Sequence, residues 1–474
     1  MKRIKILLLV SLLLLVGAGQ LFAAVPKYVF YFIGDGLGAS QRQVAEYYAQ
    51  QVSGQSHLKL AMNQMPVAGI NTTYSSDSLV TDSAAAGTAL ATGYKTNNGI
   101  ISELPDGRVV KSLMEVAEEQ GWATGIVTTT RLTHATPAVF ASHNISRDAE
   151  NEIAADMADS GVDYFAGGGF RHFVKQGSAF KSKRKDSRDL VKEMSSAGYR
   201  TFIGEKSSTD FRAYQPQGNA KVFAALTYSH MPYELDRIND KSNQVPALAE
   251  LVSKGIDVLQ SHHKPFFFMV EAGRIDHACH ANDVAGSIYD TLALDDAIKV
   301  ALDFYHQHPD ETLIVLVGDH ETGGLGLGFA KNYFLKMEAV QSTRASIEDV
   351  MVKVYTGDVD AYLKTVAERF GLADMTPVEK QRLIDAAKQQ DAGTEDAALY
   401  GSYSPTQVAV AHILSERANV EWTTFAHTAT QIPMGAVGVG AIKFMGFKDN
   451  TEIARTMADV LHFQLSDVQM AMAQ

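Results

Sequence analysis

The chain has 474 residues, of which 46% are hydrophobic and 20% charged, an ordinary composition for a globular protein with a large core. Its formal net charge of −12 argues against a nucleic-acid-binding surface and against a polyanionic partner. The charge does not exclude a small anionic substrate, because bound divalent cations can invert the local field.

Residues 1–24 have the organisation of a secretory signal peptide. Basic residues lead into an apolar run over 6–16 that is too short to span a bilayer, and the small residues Ala23 and Ala24 follow. We expect cleavage after Ala23 or Ala24, a periplasmic or secreted protein, and no membrane anchor in the mature chain. Cys279 is the single cysteine, so an internal disulfide cannot form.

Three apolar runs, rich in β-branched and aromatic residues, each lead into a carboxylate. The runs are 27–34 before Asp35, 265–270 before Glu271 and 312–318 before Asp319. Runs of this composition are typical of strands buried on both faces of a parallel sheet. Ligands bind outside the carboxyl ends of such strands, so we expect these acids to share a metal site there.

Further strand candidates at 123–129, 162–165, 200–203 and 221–226 alternate with helical patterns such as 110–120 and 287–306. This alternation predicts a doubly wound α/β fold, with a mostly parallel central sheet and helices on both faces.

Residues 331–420 change character and are dominated by helical signals. Capping boxes begin at Thr376 and Ser404, each followed by proline at the first helical position. We interpret this stretch as a helical insertion within a single α/β domain over 25–474. Strand-like composition returns at 421–427 and 434–440, and a final helix is expected from about Thr451.

Ser83 lies at the predicted start of an alanine-rich helix, directly after Thr81 and Asp82. Free N–H groups and the helix dipole favour an anion in this first turn, so Ser83 is a candidate nucleophile whose phosphorylated form the helix would stabilise. The alternative is that Ser83 only caps the helix. No G-x-S-x-G motif surrounds it, so a metal would have to activate the hydroxyl.

The segment 271–280 has the densest cluster of potential ligands. Asp276 and His280 are four residues apart, so one helical turn would place them on the same face, where they can grip one ion. The adjacent pair Asp319 and His320 can reach a metal on a tight bend, which the nearby glycines permit.

Other candidates are weak when taken singly. His427 is unremarkable by itself, and an isolated histidine is more often a structural residue. His134 and Thr136 are candidates for a further metal or its water shell, and Arg147 is a candidate fork for phosphate oxygens, although a lone arginine is more often at the surface.

Taken together, these motifs resemble the alkaline phosphatase family, and they occur in the family's order from about residue 27 to residue 440. The resemblance implies that Ser83 is the nucleophile and that Arg147 clamps the phosphate. It implies these ligand sets: Asp276, His280 and His427 for one zinc; Asp35, Asp319 and His320 for a second zinc; Asp35, Thr136 and Glu271 for one magnesium.

The chemistry of these sets agrees with the assignment. Two nitrogens and a carboxylate with an open position suit catalytic zinc, and an all-oxygen set suits magnesium. Two cations roughly 4 Å apart can stabilise both the entering and the leaving oxygen of an in-line displacement.

Two positions depart from the best-known enterobacterial form of the family. His134 stands where that form has aspartate and His277 where it has lysine, whereas animal members have histidine at both. We expect both residues to contact substrate or its water shell, and the identity of the third metal stays open.

The resemblance implies hydrolysis of small phosphate monoesters through a phosphoserine, in a homodimer. A phosphodiesterase, nucleotide pyrophosphatase or sulfatase of the same two-metal superfamily is the alternative enzyme. A non-enzymatic exported metal-binding protein is a third hypothesis, which an intact nucleophile argues against.

Overall fold

The computed structural model describes residues 25–242, 244–394 and 396–467, so the expected signal peptide lies outside the described part. The strands are β1 (Tyr28–Gly34), β2 (Val67–Asn71), β3 (Ala123–Arg131), β4 (Tyr164–Gly168), β5 (Tyr199–Ile203), β6 (Lys221–Ala225), β7 (Phe266–Ala272), β8 (Thr312–Gly318), β9 (Glu321–Thr322), β10 (His427–Thr428), β11 (Ile432–Gly438) and β12 (Gly446–Lys448).

A ten-stranded sheet forms the centre of the fold, with the order β12-β2-β11-β8-β1-β7-β3-β4-β6-β5. From β8 to β5 every neighbouring pair is parallel, and β11 runs antiparallel to both of its neighbours. Strands β9 and β10 form a separate two-stranded ribbon. The predicted doubly wound, mostly parallel sheet is confirmed.

The alternation of side chains along β1 explains why the strand is apolar throughout. Phe30 and Phe32 pack into a core on one face of the sheet, whereas Val29, Tyr31 and Ile33 pack into a core on the other. Both faces are covered by helices, so every position of the strand after the half-buried Tyr28 is shielded from water.

The helices surround this sheet. They are α1 (Ala39–Ser53), α2 (Ser83–Thr92), α3 (Leu113–Glu119), α4 (Ala135–Ala138), α5 (Glu150–Asp159), α6 (Leu190–Ser196), α7 (Ser208–Ala213), α8 (Glu234–Asn239), α9 (Leu248–Gln260), α10 (Arg274–His280), α11 (Val284–Gln307), α12 (Val359–Arg369), α13 (Pro377–Asp391), α14 (Ala397–Tyr400), α15 (Pro405–Ala418) and α16 (Asn450–Leu461). Among the described residues, no helix combines the length and the apolar character that a membrane span requires.

The stretch predicted as an insertion contains α12 to α15 and lies in sequence between β9 and β10. The capping boxes predicted at Thr376 and Ser404 are both formed and begin α13 and α15. Buried side chains cover most of the circumference of helix α15. This helix therefore packs between the other helices of the stretch and the rest of the domain.

The predicted strand at 421–427 is wrong. Glu421 makes only an isolated bridge to Gly326, and the ribbon strand β10 begins at His427. Short strands β2 and β12 at the sheet edge were not predicted, because five and three residues leave too little pattern to recognise.

Candidate metal centre and active site

Strands β8, β1 and β7 are neighbours in the sheet, and their carboxyl ends are in register. Gly34 of β1 pairs with Ala272 of β7 and with Gly318 of β8. The next residue of β1 is Asp35, the next of β8 is Asp319, and Glu271 is the penultimate residue of β7. The sheet therefore places three buried carboxylates side by side, as the three apolar runs predicted.

Asp35, Asp319 and His320 form one group of potential ligands, with their donor atoms within 4.8 Å of one another. His320 Nε2 lies 3.5 Å from Asp35 Oδ1 and 3.4 Å from Asp319 Oδ2. The other oxygen of Asp319 accepts hydrogen bonds from the backbone N–H groups of Gly36 and His320, which fixes the carboxylate. This group is the set expected for the second zinc.

Asp276, His280 and His427 form a second triangle. His280 Nε2 is 3.3 Å from Asp276 Oδ1, His427 Nε2 is 3.5 Å from the same oxygen, and the two Nε2 atoms are 3.1 Å apart. The Nδ1–H of His280 donates to the carbonyl of Phe425, and that of His427 donates to the carbonyl of Thr81. Both Nε2 atoms therefore present lone pairs to the same point, which is the arrangement of metal-ligating histidines.

His320 joins the two groups. Its donor atom also lies within 4.8 Å of those of Asp276 and His427, and its ring stacks on His427 with 3.6 Å between centroids. Its Nδ1 faces the hydroxyl of Thr322, which itself donates to Asp276. Nε2 of His320 is thus the atom available to an ion.

A third group contains Asp35, Glu271 and His134. Thr136 is fully buried at the start of α4 and lies against Glu271, where it offsets part of the rise that burial causes in the pKa of that carboxyl. Glu271 also accepts hydrogen bonds from Thr128 and Thr130. The structure therefore brings Asp35, Thr136 and Glu271 together. Nε2 of His134 faces Arg147, which has only donors, so the proton of the neutral His134 ring is on Nδ1.

Several carboxylate oxygens of these groups are buried and have no hydrogen-bond partner: both oxygens of Asp35, Oε1 of Glu271 and Oδ2 of Asp319. Burial first, and then the neighbouring carboxylates, hold the pKa values of Asp35 and Asp319 well above their usual range. Burial is also the main cause that raises the pKa of Glu271 to about 7. Buried like charges of this kind require cations, so the residues fit the expected metals.

Ser83 is the first residue of α2, at the mouth of this centre. Its hydroxyl lies 3.2 Å from Nε2 of His320. The helix cap is Asp82, whose side chain accepts from the N–H of Ala85, so capping does not explain the serine. The predicted juxtaposition of a helix-start hydroxyl and the ligand cluster is present.

Arg147 lies beside the serine, held by its neighbours. One terminal nitrogen donates to Asp82 at 2.9 Å and the other lies 3.1 Å from Nε2 of His134. The side chain is thus aimed into the centre, where its fork can meet anionic oxygens.

His277 contacts Arg274 and His230, two residues that the sequence analysis did not select. Its ring centroid is 5.5 Å from that of His134 and 4.4 Å from that of His230. Burial, and then the charge of Arg274, lower the pKa of His277 to about 3, so the ring is neutral. These contacts could not be predicted from the sequence. His230 follows β6, far from His277 in the chain, and nothing in the residues around Arg274 indicates that its side chain turns toward His277.

A mostly parallel α/β sheet, candidate metal ligands at its carboxyl edge and a helix-start serine are typical of metal-dependent hydrolases of the phosphatase type. Comparison with known proteins agrees, since a model of the alkaline phosphatase family matches residues 26–463. The chain belongs to the alkaline phosphatase family.

Individual relatives cover nearly the whole chain. Alkaline phosphatase 3 of Bacillus subtilis is 33% identical over 448 residues, which are 93% of this chain and 90% of the relative. The crystal structure of Thermus thermophilus alkaline phosphatase matches with a TM-score of 0.81 at 30% identity, over 94% of this chain and 93% of that one.

A third relative bears on the metals. The alkaline phosphatase of the Antarctic bacterium TAB5 matches as a histidine-to-aspartate variant with magnesium bound in a site named M3. The TM-score is 0.66 at 28% identity, with 93% of this chain and 99% of that one covered.

Proposed function

We propose that this enzyme hydrolyses phosphate monoesters through a covalent phosphoserine on Ser83, with two zinc ions and one magnesium ion. The observation that carries the proposal is the 3.2 Å contact between the Ser83 hydroxyl and His320 Nε2, an atom shared by two ligand groups. Phosphate monoesters as substrates follow from the family.

The proposed ligand sets are those that the resemblance implied. Asp276, His280 and His427 would hold one zinc. Asp35, Asp319 and His320 would hold the other. Asp35, Thr136 and Glu271 would hold magnesium, and His134 lies beside this set. When bound, the cations act as Lewis acids that lower the pKa of a coordinated hydroxyl and neutralise the charge of the transferred group.

The residues of the chain supply the remaining chemistry. The Ser83 oxygen attacks phosphorus as the bond to the leaving ester oxygen breaks. The serine loses its proton and is left phosphorylated, and the leaving oxygen gains a proton and departs as the alcohol. The free N–H groups at the start of α2 and the guanidinium of Arg147 donate to the phosphoryl oxygens. Water then attacks the phosphoserine, which releases inorganic phosphate and restores the hydroxyl.

The direct test is release of p-nitrophenol from p-nitrophenyl phosphate. Ser83→Ala should lower kcat by at least about 1,000-fold, because the nucleophile is lost. Ser112→Ala is a matched control: Ser112 caps α3, donates to the backbone carbonyl of Phe140 and is in none of the proposed ligand sets. That variant should lose about 1 kcal/mol of stability and retain its kcat. Equal kcat values for wild type and Ser83→Ala would refute the proposal.

The alternative enzyme of the same superfamily is tested with a second substrate. A diesterase should turn over bis-p-nitrophenyl phosphate faster than the monoester, and a sulfatase should prefer p-nitrophenyl sulfate. We expect the monoester to be fastest, because Arg147 and the helix start provide donors for several non-bridging oxygens. Metal analysis of the same sample tests the two-to-one ratio of zinc to magnesium.

We also propose that the chain is exported to the periplasm or secreted, and that it forms a homodimer. The proposal of export rests on the leader-like residues 1–24. The proposal of a homodimer rests on membership of the family. N-terminal sequencing of the mature protein and light scattering on a sizing column test them.

A further inference from the structure

Arg274 is an internal charge at the start of α10, between Glu271 and Asp276. Its side chain is 1% exposed. The guanidinium carbon lies 3.6 Å above the centre of the Tyr233 ring. Glu348, at 3.3 Å, and Asp349 accept hydrogen bonds from its terminal nitrogens. A charge buried this deeply is held in a single orientation by its partners.

One contact of this guanidinium determines the state of His277. The terminal nitrogen NH1 of Arg274 lies 2.9 Å from Nδ1 of His277. A guanidinium has only donors, so Nδ1 must accept and the ring proton must reside on Nε2. A proton on Nδ1 would set two N–H groups against each other. Arg274 therefore selects one of the two neutral tautomers.

His277 stands beside the residues that face the phosphoryl group in the proposed reaction. Its ring approaches that of His134 edge to face, and Nε2 of His134 in turn contacts Arg147. An imidazole held with its proton on Nε2 is a hydrogen-bond donor, which suits a phosphate oxygen or the water around it.

We propose that Arg274 is a positioning residue, which holds His277 as an Nε2–H donor toward the bound phosphoryl group. The inference rests on the proposed function, because it assigns an effect on phosphate binding at that same site. It adds a residue that touches neither substrate nor metal and acts only through the histidine.

The acidic partners of Arg274 belong to the stretch 331–420, so they connect Arg274 to that stretch. Glu348 and Asp349 belong to a segment whose neighbouring residues are tied to the body: Ser346 donates to Asp236, and the N–H of Ile347 donates to Asp283 at 2.9 Å. The carbonyl of Ile347 accepts from Gln407 of α15 at 3.0 Å. The helical layer thus reaches His277 through Arg274.

The kinetic test compares Arg274→Met with wild type in steady state, with inorganic phosphate as inhibitor. We expect the inhibition constant of phosphate and KM to rise about five-fold, the effect of one hydrogen bond, while kcat stays within about two-fold. A purely structural defect would lower kcat by reducing the active fraction and would leave both constants unchanged. Arg237→Met is the matched control, since Arg237 pairs with Glu234 on α8 and should change neither constant.

Two further variants separate action through His277 from a direct effect. Arg274→Met combined with His277→Ala should have the same phosphate inhibition constant as His277→Ala alone. Arg274→Lys retains one donor for Nδ1 and should restore part of the affinity. An additive double variant would overturn the inference.

A spectroscopic measurement covers the case in which Arg274→Met fails to fold. Long-range proton–nitrogen spectra of protein labelled at histidine, assigned with His277→Ala, should show the proton of His277 on Nε2. Asp349→Asn and Glu348→Gln, at side chains 43% and 34% exposed, should loosen the guanidinium and raise the phosphate inhibition constant. A wild-type spectrum with the proton on Nδ1 would overturn the inference.

The two proposals fail differently. Absence of monoester turnover in the wild type contradicts the proposed function, while the tautomer of His277 is still measured. Turnover with an unchanged phosphate constant in Arg274→Met contradicts only the role of Arg274.

Discussion

Buried ionisable residues in this chain differ in whether the protein itself provides partners for their charge. Asp35 has two carboxylate oxygens without a hydrogen-bond partner, whereas both terminal nitrogens of Arg274 donate to carboxylates and its guanidinium lies over an aromatic ring. The first arrangement leaves electron pairs available to cations and costs stability until they bind. The second has its charge compensated by the protein itself and serves to hold a neighbour in place.

Some candidate ligands could be selected from the sequence because two potential ligands lie close together in the chain. Asp319 with His320, and Asp276 with His280, were selected in this way. His427 was selected only by counting ligands across the resemblance, and His230 was not selected at all. A single histidine gains meaning from contacts made across hundreds of residues, and the sequence near it contains no signal of them.

Glu118 on α3 gives a prediction at the residue scale. Burial raises the pKa of this carboxyl from 4.5 to about 8, and its side chain accepts from Thr124 at 2.9 Å. The native state therefore binds this proton more tightly than the unfolded state does. The contribution of Glu118 to stability is fully present below pH 4.5 and is lost as the pH rises through about 8.

Glu118→Gln should consequently unfold at nearly the wild-type temperature at pH 5 and at a higher temperature than wild type at pH 9. Glutamine retains the acceptor for Thr124 and carries no charge. Thermal unfolding followed by circular dichroism measures the difference, and Glu119→Gln, at an exposed neighbouring side chain, is the control. A constant difference across this pH range would contradict the assignment to Glu118.

At the scale of elements, the site is made where strands end and helices begin. Strands β1, β7 and β8 each deliver a carboxylate, α2 delivers Ser83, and α10 delivers Asp276 and His280. Long, uniformly apolar strands were predicted well, because burial on both faces leaves an unmistakable composition. The ribbon strands β9 and β10 were not predicted, because a strand of two residues is too short to show an alternation of apolar and polar side chains.

The turn after β1 gives a prediction at this scale. Gly36 has a φ of +73°, and a Cβ there would lie 2.7 Å from the Cα of Asp276. Gly36→Ala should therefore push α10 away from the centre and lower kcat/KM by about 100-fold, a loss typical of displaced catalytic groups. Backbone strain should also destabilise the protein by about 1–2 kcal/mol.

Gly54→Ala separates strain from displacement. Gly54 ends α1 with a φ of +69°, and no atom lies within 4 Å of its added Cβ. This variant should lose comparable stability and retain wild-type kcat/KM. Full activity of Gly36→Ala in the standard monoester assay would show that the turn tolerates a side chain.

At the scale of the whole molecule, the centre joins segments from Asp35 to His427. The chain has a single cysteine, which is buried and free, so covalent cross-links cannot hold these segments together. Cations shared by several ligand groups would act as the links between them. The fold class followed from strand and helix alternation, whereas the order of strands depends on packing that no local pattern encodes.

Removal of metal should therefore destabilise the whole protein. After chelation we expect the thermal midpoint to fall by about 5–10 °C, because Asp35, Glu271 and Asp319 then repel one another in a buried site. Ser83→Ala keeps every proposed ligand and should show the same shift. Asp319→Asn should show a smaller one, and equal midpoints for chelated and loaded wild type would contradict a structural role of the ions.

Strand β11 has the opposite direction to the strands beside it. An antiparallel strand begins at the edge where parallel strands finish, so the chain that enters β11 passes this edge and leaves His427 there. A polypeptide emerging from the ribosome reaches His427 only after every strand from β1 to β9 has been made. The set proposed for the first zinc, which joins His427 to His280 across 147 residues, would therefore be complete only after the ribbon strand β10 has been made, and binding of that ion would be a late step in maturation.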